Sequence, residues 1–168
     1  QALRKAGFNA SFFEGKAEHA QEMWYYQPSE LSRWLAELPK PVAVMACDDN
    51  CGQHVTEACK LMGIKIPEEV AVLGVDNDEL ICNLSDPPLS SIVLDAETGG
   101  YMAALLLDKM MKGQAAQRDV VVEAIKIETR LSTDIFASTD TEIAKALKFI
   151  HLNFSKHIAV NDVLEHVA

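Results

Sequence analysis

The sequence predicts an α/β fold with a doubly wound, mainly parallel sheet, followed by a short C-terminal helical segment. Two apolar runs, residues 42–46 and 70–75, lack polar alternation and are typical of strands covered on both faces. A helical pattern lies between them. Strands that alternate with helices at this spacing are typical of doubly wound domains.

Turn and capping residues set the order of the elements. Gly63 and Gly113 are expected to end helices because glycine adopts the left-handed cap conformation readily. The predicted elements are a helix ended by Gly7, an extended segment at 11–14, a helix at 28–38, the strand at 42–46, a helix to Met62, the strand at 70–75, a short helix through Cys82, an extended run at 90–94, a helix at 95–112 and a strand at 120–128.

A polar stretch divides the chain into two predicted units. Residues 132–140 lack a hydrophobic period and are predicted to link a domain at 1–131 to a second unit at 141–168. In the second unit, Thr139 and Glu142 have the spacing of a capping box, and apolar residues at helical spacing predict a helix over 140–153. A further helix is predicted from Val160.

Composition narrows the class of protein. Of the 168 residues, 49% are hydrophobic and 24% are charged, which excludes a disordered or collagen-like chain. The net charge of −10 argues against binding nucleic acid through charge alone. No apolar stretch approaches the length of a membrane helix and no signal-peptide pattern is present, so we expect a cytoplasmic protein that does not contact a membrane.

Acidic and amide side chains follow both apolar runs. These side chains are Asp48, Asp49 and Asn50 after the first run, and Asp76, Asn77 and Asp78 after the second. Ligands of doubly wound sheets gather at the carboxyl ends of strands, so the clusters are expected to face one cleft, where they could grip sugar hydroxyls. Trp24, with Tyr25 and Tyr26, could stack on the sugar ring. Helix capping is the alternative; it is favoured for Asp49, Asn50 and Asp78, whereas ligand binding is favoured for Asp48 and Asp76.

Metal binding and catalysis receive little support from the sequence. Cys47, Cys51 and His54 form the one grouping that suggests zinc, but it lacks a fourth ligand and a CxxC knuckle, so reduced and mostly buried thiols are expected. No phosphate-binding loop or catalytic motif is present, and we expect neither a cofactor nor an enzyme. A metal-dependent phosphotransfer or hydrolase domain stays as the less favoured alternative, since clustered carboxylates suit magnesium.

Several segments carry a family resemblance. Residues 70–79 (VAVLGVDNDE), followed by 88–92 (PLSSI), resemble the second lobe of the LacI/GalR-type sugar-responsive repressors, and residues 41–49 (PVAVMACDD) and 100–104 (GYMAA) are similar to further parts of that lobe. The resemblance implies one lobe of a periplasmic-binding-protein-like fold and a monosaccharide effector, D-xylose or another pentose. It implies that Asp48 and Asp76 hydrogen bond the sugar and that Trp24 lies at the cleft. Asp49 and Asn77, which belong to the same two polar clusters, are the further candidate ligand-binding residues.

The C-terminal segment resembles a second family. Residues 142–151 (EIAKALKFIH) and 158–164 (IAVNDVL) are similar to the opening of an AraC-type helix-turn-helix DNA-binding domain. The two resemblances together imply a fragment of a transcriptional regulator whose recognition helices, which bind operator DNA, would follow residue 168. A homodimer is expected separately, from the apolar surface and the long helix that begins at Asp95. A lobe of a periplasmic-type sugar-binding protein is the alternative. The sequence leaves open which sugar binds and whether the regulator activates or represses.

Overall fold

The computed structural model describes residues 7, 9–14, 28–114, 119–134 and 141–167. The chain divides into two compact units, Gln1–Thr133 and Asp134–Ala168. In the first unit the elements are α1 (Pro28–Glu37), β1 (Val42–Met45), α2 (Asp49–Met62), β2 (Val70–Val75), α3 (Glu79–Leu84), β3 (Ser90–Leu94), α4 (Ala96–Met111) and β4 (Ala124–Glu128).

The four strands form one mainly parallel sheet in the order β1-β2-β3-β4. Val42 pairs with Val70 and Leu73 pairs with Ser90 in parallel, whereas β4 pairs with β3 in the antiparallel direction. This α/β architecture confirms the predicted fold class. One local prediction is wrong, because the last strand covers Ala124–Glu128 rather than 120–128. The segment at 11–14, predicted to be extended, lies outside the helices and strands, and Phe13 packs its ring 5.3 Å from that of Trp34.

The core lies where α1 and α2 cover one face of β1 and β2. Leu35, Cys59, Val70, Val72 and Leu89 are fully buried there. The apolar run at 42–46 was expected to be covered on both faces, but Met45 is 59% exposed, and β1 buries one side within the described part of the chain. An apolar run alone does not reveal which neighbouring segments cover it.

Helix caps set the ends of the elements beside the sheet. Asp48 and Asp78 begin α2 and α3, and each carboxylate accepts backbone N–H groups of the first turn. Gly63 ends α2 in the left-handed conformation, with φ at 69°, as its sequence position predicted. The caps place both acidic clusters directly after their strands.

The second unit contains α5 (Thr141–Asn153) and α6 (Val160–Val167), which pack on each other. The rings of Phe149 and His166 lie 4.6 Å apart between the two helices. Asp162 accepts the backbone N–H of Ala159 at 2.8 Å at the start of α6. No described side chain of this unit is fully buried. The least exposed positions are half-buried.

No helix in the described ranges combines the length and the apolar character needed to span a membrane.

Candidate functional site

The two acidic clusters lie at one edge of the sheet. β1 and β2 are parallel neighbours, and the N–H of Ala46 donates to the carbonyl of Leu73 at 2.9 Å, one residue beyond the last paired position of β1. Asp48 follows β1, and Asp76 follows β2 directly. The Asp78 N–H donates to Oδ2 of Asp49, the first residue of α2, at 2.7 Å and so joins the segments that follow the two strands. The shared edge expected from the sequence is therefore present.

Beneath this edge lies a set of buried polar side chains, which we call the inner polar layer: Asp49, Ser90, Ser91 and Ser132. Asp49 is 2% exposed, and its second oxygen, Oδ1, accepts the hydroxyl of Ser91 at 2.5 Å. Ser132 donates its hydroxyl to the carbonyl of Val72 at 2.6 Å and accepts the N–H of Ser90 at 2.8 Å. Every buried side-chain oxygen and nitrogen in the described residues has a hydrogen-bond partner.

Gly74 makes room for the buried carboxylate. A Cβ atom at this position would overlap Asp49 Oδ1 and would approach Leu89 Cδ2 to 3.1 Å. The backbone of β2 can therefore lie beside the carboxylate only because residue 74 has no side chain. The glycine interrupts the apolar run at 70–75 for this reason.

Above the inner polar layer lie exposed and half-buried side chains that we call the outer rim: Cys47, Asp48, Cys51, Asp76 and Asn77. Asp76 and Asn77 have left-handed backbones, with φ at 98° and 55°, a conformation that costs energy for residues other than glycine. Hydrogen bonds hold it: the Asp76 N–H donates to Ile92 O and the Asn77 N–H donates to Ser91 Oγ, both at 3.0 Å. The loop after β2 is thereby fixed on the inner polar layer.

The two side chains of this loop differ in their surroundings. Asn77 Oδ1 accepts a hydrogen bond of 3.0 Å from Arg130, whose guanidinium also donates to the carbonyl of Leu89 at 2.9 Å. Asp76 is exposed, and no described residue hydrogen bonds its carboxylate. The edge therefore presents a free carboxylate beside an amide whose oxygen is held by a cation.

The outer rim on the β1 side combines a carboxylate with two thiols. Asp48 Oδ1 accepts the N–H of Cys51 at 2.7 Å, while Oδ2 lies 3.6 Å from Cys47 Sγ. The two sulfur atoms are 3.4 Å apart. Burial, then the hydrogen bonds to Cys47 and Asp48, raise the pKa of the Cys51 thiol to about 12.

Two of the four cysteines lie in the hydrophobic core and two lie on the outer rim. Cys59 and Cys82 are buried, and burial raises the pKa of each thiol to about 11, but Cys47 is exposed and Cys51 is half-buried. The prediction of mostly buried thiols thus holds for two of the four. All four are free thiols, as expected.

The residues selected from the sequence meet different environments. Asp48, Asp76 and Asn77 lie on the outer rim, Asp49 is sealed below it with both oxygens bonded, and Trp24 lies outside the described residues, as do Tyr25 and Tyr26. Sequence reasoning did not select Arg130 or Ser91. The buried polar pair at 90–91 within an otherwise apolar strand was the signal for Ser91, whereas nothing local marks Arg130 as the partner of Asn77, 53 positions away.

A comparison with protein families decides the class of the first unit. The periplasmic binding protein-like domain matches residues 1–133. The chain belongs to this family. Individual relatives give a finer comparison than the family match.

Among curated proteins, the xylose operon regulatory protein of Haemophilus influenzae is 33% identical over 168 residues, which is 99% of this chain and 43% of that protein. The protein of the same name from Escherichia coli strain K12 gives the same identity and coverage. The alignment includes the second unit, which the periplasmic binding protein-like match does not. The chain thus spans less than half the length of these relatives.

Among solved structures, too, the chain is similar to transcription regulators. A structure of the xylose-binding transcription activator xylR has a TM-score of 0.64 and 30% identity, covering 92% of this chain and 41% of that one. The transcriptional regulator CelR in complex with cellobiose has a TM-score of 0.58 and 26% identity, covering 78% and 39%. These relatives are transcription regulators, not enzymes.

Proposed function

We propose that this chain is the effector-binding part of a cytoplasmic, sugar-responsive transcription regulator, and that a monosaccharide binds at the outer rim. The match to xylose operon regulatory proteins along 99% of the chain supports D-xylose, or another pentose, as the effector. The name of the solved relative, a xylose-binding transcription activator, supports the same sugar class.

The observation that carries the proposal is the state of Asp76. Its backbone is held at a φ of 98° by packing and hydrogen bonds below it, while its carboxylate is exposed and accepts no hydrogen bond from the described residues. Strained backbones concentrate where a side chain must be aimed at a ligand. An ionised carboxylate accepts hydrogen bonds from two adjacent hydroxyl groups, which suits a sugar.

The neighbouring residues take complementary roles in this proposal. The Asn77 amide, with its oxygen on Arg130, keeps its NH₂ group for a sugar oxygen. Asp48 contributes acceptor oxygens from the end of β1, and Trp24 supplies the aromatic surface for the ring. Asp49 has both oxygens engaged, so its contribution is to hold the Asn77–Asp78 loop in place rather than to touch the sugar.

Regulation requires that sugar binding change the affinity for DNA. We assign residues 141–168 to the beginning of an AraC-type helix-turn-helix domain that contacts operator DNA in the whole protein. Of the linker predicted at 132–140, Ser132 is buried in the inner polar layer and belongs to the first unit, which leaves residues 134–140 as the proposed linker. The pairing of α5 and α6 through Phe149 and His166 supports a helical domain. The sugar must bind the DNA-competent arrangement with a different affinity from the other arrangement.

A homodimer is part of the same proposal. α4 and β4 expose large apolar side chains, among them Tyr101, Leu107, Met111 and Ile125. Exposed apolar patches of this kind mark interaction surfaces. We expect light scattering to give the mass of a dimer at high protein concentration; a monomer at all concentrations would contradict this part of the proposal.

The sugar site is tested by calorimetry with a panel of pentoses and hexoses, including D-xylose, on the chain and on the Asp76→Ala variant. We expect affinity to fall about 10- to 100-fold, because the variant leaves sugar hydroxyls without their charged acceptor. The free energy of unfolding should fall by no more than about 1 kcal/mol, since the side chain is exposed but alanine tolerates the positive φ less well than aspartate.

Asp108→Asn is the matched control, because Asp108 is an exposed aspartate on α4 whose partner is Lys112. It should leave sugar affinity unchanged. Equal affinity of the Asp76→Ala variant and the chain would remove Asp76 from the site. Absence of binding to every sugar in the panel would contradict the effector class itself.

A further inference from the structure

The two cysteines and the aspartate at the start of α2 form a cluster that the sugar proposal does not use in full. The donor atoms of Cys47, Asp48 and Cys51 all lie within 4.8 Å of one another, the one such group of three among the described residues. Cys47 is exposed and the other two are half-buried, so an ion could reach the cluster from solvent. The sequence did not reveal this set of donor atoms, because the third donor belongs to the helix cap Asp48 rather than to His54.

We propose that Cys47, Asp48 and Cys51 form a binding site for a thiophilic divalent cation, with Zn²⁺ as the reference ion. Two sulfur donors and one carboxylate oxygen belong to the ligand types that zinc takes in proteins. Three protein ligands leave a fourth position for water, which is the arrangement of open zinc sites. The site shares Asp48 with the proposed sugar site, whereas Cys47 and Cys51 have no part in the sugar proposal.

The distances suit a tetrahedral ion. With zinc bonds of about 2.3 Å to sulfur and 2.1 Å to oxygen, neighbouring sulfur and oxygen ligands would lie about 3.6 Å apart and two sulfurs about 3.8 Å apart. The observed separations are 3.6 Å for Cys47 Sγ and Asp48 Oδ2, and 3.4 Å for the two sulfurs. The thiols need to open by only a few tenths of an ångström, which the exposed Cys47 side chain permits.

Metal binding and helix capping do not compete for the same oxygen. Asp48 Oδ1 accepts the N–H of Cys51 at 2.7 Å, while Oδ2 faces Cys47. Oδ2 can therefore bind the ion while the cap stays formed. The backbone hydrogen bond also fixes the carboxylate in the orientation that the ion requires, as outer hydrogen bonds do for other metal ligands.

The test is zinc titration of the chain under reducing conditions that prevent a disulfide, with Co²⁺ as a spectroscopic probe of sulfur coordination. We expect one Zn²⁺ per chain and a sulfur-to-cobalt charge-transfer band. Cys47→Ser should weaken zinc binding about 100-fold or more, because loss of a mere outer-shell partner already costs 10- to 100-fold. Cys51→Ser should have a similar effect, and Asp48→Asn, which keeps the cap, should weaken binding at least about 10-fold.

The matched control is a chain with Cys59→Ala and Cys82→Ala, which removes two thiols and keeps the cluster. It should bind zinc as the unaltered chain does, with the charge-transfer band retained. Circular dichroism of each variant establishes that it is folded, and Cys47→Ser carries the test if Cys51→Ser unfolds the helix end. Zinc affinity that is unchanged in folded Cys47→Ser, or an unaltered chain that binds no Zn²⁺ saturably, would overturn the proposal.

Discussion

Asp48 of the outer rim and Asp49 of the inner polar layer are adjacent in the sequence, yet their side chains lie in opposite environments. Asp48 is half-buried and caps the helix that follows it, while Asp49 is 2% exposed and bonds to Ser91 and the Asp78 backbone. The partners of Asp48 lie within three positions, whereas those of Asp49 lie 42 and 29 positions away. The comparison teaches that adjacent acids can serve different structural purposes: the buried Asp49 joins strands and loops, whereas Asp48 caps the helix that it precedes.

The largest expected effect separates the two layers directly. Asp49→Ala should lower the free energy of unfolding by about 2 to 6 kcal/mol, because it leaves the Ser91 hydroxyl and the Asp78 N–H buried without their acceptor. Urea denaturation measures this change. Asp108→Asn on α4 is the control and should change stability by less than about 0.5 kcal/mol. A loss below about 1 kcal/mol in Asp49→Ala would show that the inner polar layer does not stabilise the fold.

The next effect concerns a thiol that lies against the inner polar layer. Burial, followed by the charge of Asp49, raises the pKa of Cys82 from 9.0 to about 11, so the folded chain binds this proton more tightly than the unfolded chain. Stability from this group is complete below pH 9 and falls between about pH 9 and 11, by about 2 to 3 kcal/mol in total.

Denaturation at several pH values, compared between the chain and Cys82→Ala, isolates this contribution from lysine and tyrosine titration. The variant should lose less stability than the unaltered chain over the same interval. Parallel curves for the two proteins would mean that the thiol has an ordinary pKa in the fold.

The smallest effect belongs to the outer rim. Asp48→Ala should cost about 1 kcal/mol, the usual contribution of a helix N-cap, since the N–H of Cys51 is exposed enough to find water instead. Asp48→Asn should be nearly neutral because asparagine caps as well as aspartate does. Thermal denaturation of both variants tests this. A loss as large as that of Asp49→Ala would abolish the distinction between the two layers.

Much of the fold could be predicted because its signals are local. The apolar runs at 42–46 and 70–75, the cap at Asp78 and the stop at Gly63 each depend on neighbouring residues and on backbone preferences. Capping of α2 was expected from Asp49 or Asn50, and this prediction is wrong because Asp48 is the cap. The strand at 120–128 was set too long, since burial of an edge strand depends on its partner. β4 begins at Ala124, near the irregular pairing with Val93 and Leu94 of β3.

The candidate site was less accessible to sequence reasoning. The residue types at the strand ends were correctly located at one edge. The sequence favoured helix capping for Asp49, but Asp49 is buried on Ser91 and the Asp78 backbone, because burial of a carboxylate depends on which distant donors reach it. The Asn77 contact with Arg130 joins residues 53 positions apart. The positive φ at Asp76 likewise leaves no trace in a sequence where glycine would have been the usual sign.

By itself, the sequence determined the order of the helices and strands, the edge of the sheet at which the acidic residues lie, and the family resemblance. Each of these depends on patterns only a few residues long. Only the tertiary structure decided that Asp49 is buried, that the Asp76 carboxylate has no hydrogen-bond partner among the described residues, and that Cys47 and Cys51 lie close to the Asp48 carboxylate. Those outcomes depend on distances between atoms of separate elements, and packing sets such distances after the local structure has formed.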